Sequence, residues 1–143
     1  MMTGIERGQA DFGRKWLAKG KDALEQGQIS EAIESLRRAI EADSSSIEAH
    51  IYLGMALVKD AQVYEAVDIF EAGLTQSPKD FMLNLKLAEL YLGLCVPEKG
   101  RKHLLTAMEA SSTPQERELV RTLLSREAER EKRRIHRPTF GKS

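Results

Sequence analysis

The stretch IYLGMALVKD, residues 51–60, reads as an apolar helix with a glycine, Gly54, in its interior. Glycine there costs about 1 kcal/mol relative to alanine. Shifting the sequence along itself by 34 residues shows why that cost is accepted. In that register Gly54 falls opposite Gly20 and Ala88, Ala66 opposite Ala32 and Gly100, and Gly73 opposite Ala39 and Ala107. Gly and Ala together make up about a sixth of the chain, so agreement at nine positions is on the order of one in ten million by chance, which rules out coincidence. Larger residues repeat too: Leu36, Phe70 and Leu104 share one slot, Ala23, Leu57 and Tyr91 a second, and Lys19, Leu53 and Leu87 a third. Small residues at fixed slots let two helices approach closely where a side chain would hold their backbones apart.

Each 34-residue unit holds two amphipathic stretches, and Ser44, Pro78 and Ser112 close the units. The expected helices cover 10–26, 30–42, 47–60, 63–76, 81–94 and 97–110. Ser30 reads as a hydroxyl cap and Pro97 as a first-turn proline. A seventh helix follows, with Thr113 as N-cap and Pro114 as its first residue. Leu119, Val120, Leu123 and Leu124 form its apolar stripe, and from Arg126 to Arg134 only Ala128 carries no charge, so that half is expected in solvent. Its first half either caps the open end of a helical stack or offers a face to a partner.

The period, the small residue in the first helix of each unit, the Ala in the second and the terminal Pro resemble the tetratricopeptide repeat over residues 13–114. The middle unit carries the match through Leu53, Gly54, Ala66, Phe70 and Pro78. In the first unit Trp16 stands in the family's tryptophan slot, while Lys19 stands where the family has Leu. The resemblance implies an all-α fold, a right-handed solenoid of three helix-turn-helix units (13–46, 47–80, 81–114) and a capping helix at 114–134. The domain so defined runs over 10–125, between a flexible N-terminus, 1–9, and a basic flexible tail, 135–143.

Composition agrees with such a domain and excludes others. The 143 residues carry 22 basic and 22 acidic side chains, so the molecule as a whole is not built for nucleic acid. The single cysteine, Cys95, excludes an intrachain disulfide and a four-cysteine zinc site. No run approaches the roughly 18 apolar residues of a membrane span. The opening MMTGIERGQADFGRKW has no apolar core of a signal peptide, which makes the cytoplasm the expected compartment. His50, His103 and His136 lie on separate segments; His50 is expected partly buried between units and His103 exposed. Cys95 shares a turn slot with Gly27 and Ala61 and reads as a partly buried thiol rather than a nucleophile. The terminal TFGKS lacks the strand and helix of a phosphate loop. The reading is non-enzymatic, with no cofactor, no metal and no small-molecule substrate.

In the resembled family the first helices of the units line a concave groove that holds a peptide. Carried over, that groove takes Leu17, Lys21, Ile51, Tyr52 and Met55 from the first two units. The third adds Met82, Leu85, Lys86 and Glu89. The basic and amide clamp that some members use for C-terminal carboxylates is not reproduced, because its slots hold Leu17, Lys21, Tyr52, Met82 and Lys86. The expected partner is therefore a protein segment or peptide with apolar anchors, and methionines suit an adaptable surface. Self-association through the groove and last helix is a second reading. Contact of an anionic surface or RNA with the tail, through Lys132, Arg133, Arg134, Arg137 and Phe140, is a third. The chain from Arg130 onward holds six basic residues and one acid, which is the basis of that third reading.

Overall fold

The structure, a computed structural model, describes residues 3–136. Among these residues there are seven α-helices and no strand: α1 Gly4–Glu25, α2 Ile29–Ala42, α3 Ile47–Lys59, α4 Val63–Gln76, α5 Phe81–Gly93, α6 Pro97–Ala110 and α7 Pro114–Ile135. The chain divides into two compact units, Met1–Leu83 and Asn84–Ser143, with the boundary inside the first turn of α5.

The repeat register is a register of burial. All nine small slots are buried, and so are Leu36, Phe70 and Leu104. In the three second helices, burial falls on the same slots: Ala32, Leu36 and Ala39 in α2, Ala66, Phe70 and Gly73 in α4, Gly100, Leu104 and Ala107 in α6. The i, i+4, i+7 spacing is one helical face. The first unit packs α1 on α2, α2 on α3 and α3 on α4. A Cβ at Gly20 would stand 2.5 Å from Leu36 Cγ, and one at Gly54 2.2 Å from Phe70 Cε1. Lys19, the departure from the repeat, is exposed with its ammonium 5.0 Å from the Trp16 ring centre, and the Arg38 guanidinium lies 4.7 Å from the same ring. In the second unit α7 packs on α6, and Val120 is fully buried.

The links between paired helices repeat as well. Gly27, Ala61 and Cys95, 34 residues apart, all have positive φ, at 76°, 62° and 61°. At each, the N–H of this residue donates three residues back and the next N–H donates five residues back: Gly27 to Leu24 and Gln28 to Ala23, Ala61 to Val58 and Gln62 to Leu57, Cys95 to Leu92 and Val96 to Tyr91. That pair of bonds is the left-handed stop in which glycine is favoured. The residue after the stop is already the N-cap of the next helix: Gln28, Gln62 and Val96, none with a side-chain capping bond. Hence α2 begins at Ile29, and Ser30 is inside the helix rather than its cap. Cys95 is exposed, not partly buried. Ala61→Gly and Cys95→Gly should each raise stability by up to about 1 kcal/mol by relieving the left-handed penalty, read as a higher midpoint in urea unfolding. A lowered midpoint for both would refute the backbone assignment.

At its start α1 reaches back to Gly4, six residues earlier than expected. Thr3 accepts from the Glu6 N–H at 3.2 Å, and Glu6 Oε2 accepts from the Thr3 N–H at 2.9 Å, so residues 4–9 are helical rather than a flexible leader. The same box starts α7 between Thr113 and Glu116. The backbone N–H of Ser112, donating to the Glu116 carboxylate, holds that carboxyl below its ordinary range. At the far end, α7 runs on to Ile135, so the first residue of the expected tail is helical; residues 137–143 lie outside the described residues.

Candidate peptide-binding surface

In the first unit the buried face of α3 is set by Leu53, Gly54, Ala56 and Leu57. Helical geometry therefore turns Ile51, Tyr52 and Met55 to another side, and all three are half-buried. On α1, Leu17 and Lys21 are four apart on one face and also half-buried. Met82, at the second residue of α5, is 39% exposed. Apolar side chains that a core would have absorbed are here accessible.

One polar station joins α1 to α3. Lys21 Nζ donates to Glu48 Oε1 at 2.7 Å and lies 5.0 Å from the centre of the Tyr52 ring. The hydrogen bond to Glu48 raises the Lys21 ammonium above its ordinary pKa. The α1 lysine is thus already engaged by a carboxylate of its own chain. In the second unit Lys86 is likewise paired along its helix, with Glu89 at 3.4 Å.

Leu85 departs from expectation. It is 3% exposed and offers no surface to a ligand. On α5 the burial of Leu83, Leu87, Ala88 and Tyr91 extends round the helix to Asn84 and Leu85, which leaves Met82, Lys86, Glu89 and Gly93 as its accessible side. Leu24, on α1, is also buried, whereas Val58, on α3, is exposed.

Two polar contacts in the second unit were not foreseen. His103, expected in solvent, is half-buried; its Nδ1 donates to Asn84 Oδ1 at 2.9 Å, and its ring stacks on Tyr91 with centres 5.7 Å apart. Glu127, in the stretch expected to project into water, is 5% exposed. It continues the inward stripe of Val120 and Leu123–Leu124 by one more turn, and its carboxylate lies 3.9 Å from Arg130. Only its residue type concealed it. His50 is fully in the core, donating from Nδ1 to the Ser46 carbonyl at 2.7 Å, and Gly73 leaves room for its Cβ.

Of the basic end, Lys132, Arg133 and Arg134 are exposed on α7. Lys132 pairs with Glu129 at 3.5 Å and Arg134 with Glu131 at 2.8 Å, which removes much of the field such a run would project. Arg137 and Phe140 lie outside the described residues. Among the described residues no cluster of three His, Cys, Asp or Glu could hold a metal, and no helix is long and apolar enough to cross a membrane.

A family model described as TPR repeat matches residues 20–60. No curated protein matches the sequence. Among solved structures, the type III secretion chaperone SycD of Yersinia enterocolitica, in complex with a peptide of the translocator YopD, superposes with a TM-score of 0.76 at 16% identity, over 82% of this chain and 93% of that one. PcrH in complex with the chaperone-binding region of PopD gives 0.75 at 15% identity, over 82% and 92%. The TPR domain of Arabidopsis OM64 gives 0.74 at 12% identity, over 82% and 98%.

Proposed function

We propose, from the premise that the chain is a tetratricopeptide-repeat protein, that it is a non-enzymatic adaptor or chaperone-like protein. In this reading it holds an apolar peptide segment of a partner, and it acts in the cytoplasm. The observation that carries the reading is the accessible apolar strip of Leu17, Ile51, Tyr52 and Met55, with Met82 exposed in the same unit. Soluble domains seldom leave such residues open without a partner. Two proteins of the same fold are each seen in complex with a segment of another protein, SycD with a peptide of the translocator YopD and PcrH with the chaperone-binding region of PopD. At these identities the likeness supports the fold, and the side chains above support the binding.

Each anchor that buries an apolar side chain contributes about 1.5–3 kcal/mol. Ordering a flexible peptide offsets much of it, so affinity in the micromolar range is expected. Selection from a displayed library of random dodecapeptides should enrich sequences with spaced Leu, Ile, Met or Phe. Tyr52→Glu combined with Met82→Glu should weaken the selected peptides at least tenfold, measured by fluorescence anisotropy. Both side chains are accessible, so the helical circular dichroism should remain that of wild type. Undiminished binding with the fold intact would count against this surface.

A further inference from the structure

The Lys21–Glu48 pair carries an inference that rests on the reading just given and narrows the ligand. We propose that Glu48 is a specificity-determining residue of this surface: by occupying the Lys21 ammonium it restricts the ligand to a peptide segment without a carboxylate at this position. The pair spans α1 and α3 at 2.7 Å, and the Lys21 and Glu48 side chains are 38% and 52% exposed, so both can be reached by a ligand. Tyr52 faces the same ammonium, and Glu25 adds a further negative charge toward it.

A carboxylate arriving here meets no unengaged cation. To reach Lys21 it must displace Glu48, and it then lies beside a second carboxylate whose only gain is exposure to water. The like-charge contact opposes entry. A neutral apolar segment disturbs nothing: Leu17, Ile51 and Met55 stay available, and the Tyr52 ring beneath the ammonium offers its remaining surface. The surface selects against acid by a charge it already holds, and removing that charge should convert it.

The test uses 15N-labelled wild type, Glu48→Ala and Glu48→Gln, with two probes. One is an acetylated, amidated octapeptide of alternating Leu and Ser; the other is the same peptide with a central Ser replaced by Glu. Affinity is read from the amide shifts of Lys21 and Tyr52. Wild type should bind the acidic peptide about fivefold more weakly than the neutral one, and both variants should abolish or invert that ratio. Glu48 is exposed, and Glu48→Gln preserves its shape, so a folded variant is secured. Equal affinities in wild type, or a ratio unchanged in both variants, would overturn the role of Glu48 while leaving the binding surface standing. Failure of the neutral peptide to shift Lys21 and Tyr52 in any of the three proteins would overturn the surface itself, and this inference with it.

Discussion

Gly54→Leu should destabilise the protein by about 3 kcal/mol, although leucine is the better helix former by close to 1 kcal/mol. A Cβ on Gly54 would lie 2.2, 2.4 and 2.7 Å from three atoms of the Phe70 ring. Phe70 is 1% exposed in the repeat's most conserved large slot within this chain, so the ring cannot swing out of the way. Either α3 and α4 separate or the ring leaves its rotamer, and each loses contacts across the whole helix pair. Gly8 supplies the control: it is also inside a helix, but nothing stands within 4 Å of its would-be Cβ. Gly8→Ala should therefore raise stability by up to about 1 kcal/mol. Adding Phe70→Ala to Gly54→Leu should cost less than the two single changes together, because the cavity made by one receives the side chain of the other. Urea midpoints of wild type and the four variants decide the matter. Equal midpoints for Gly54→Leu and wild type would mean that α3 and α4 do not approach as described.

How far the sequence carried follows from which quantity repeats. Packing repeats with the 34-residue period, so the buried slots could be read from alignment of the chain with itself, and the ends of α4 and α6 fell where the pattern put them. Chain reversals are governed by backbone dihedrals, which residue type reports only through glycine. Gly27 announced its left-handed turn, but Ala61 and Cys95 take the same φ without announcing it. The start of α2 was consequently placed at the first hydroxyl, Ser30, one residue late. The start of α1 was legible in principle, since Thr3 and Glu6 carry the spacing of a capping box, but the charged and glycine-containing opening masked it.

Surface residues were less legible than core ones, again for a physical reason. A period identifies slots, not which side of a given helix a neighbour covers. Ile51, Tyr52 and Met55 share α3 with buried Leu53 and Leu57 and are themselves half-buried. Leu85 occupies a comparable slot in α5, yet burial on α5 reaches round to it and the slot is closed. Lys21 could be read as a cation of the expected groove, but its partner Glu48 is 27 residues away on another helix, and only coordinates bring the two to 2.7 Å.

Val120→Asp should be the most damaging change in the second unit, lowering stability by about 3–5 kcal/mol at pH 7. Val120 is fully buried on α7, so an aspartate there takes a carboxylate out of water. Leu119, its neighbour in the same apparent stripe, is 45% exposed. Leu119→Asp should change stability by no more than about 0.5 kcal/mol. The pair separates burial from hydrophobicity, because the sequence alone gives the two residues equal standing. The deficit of Val120→Asp should also depend on pH in a defined direction. Burial raises the pKa of the new carboxyl in the folded state above its unfolded value of about 3.9. The folded state then gains stability by binding the proton, so the deficit relative to wild type is largest above the folded pKa and shrinks as pH falls through it toward the unfolded value. Chemical unfolding at pH 7 and pH 5 measures both parts. A deficit that is small at pH 7, or that grows on acidification, would mean that α7 does not seal the second unit through Val120.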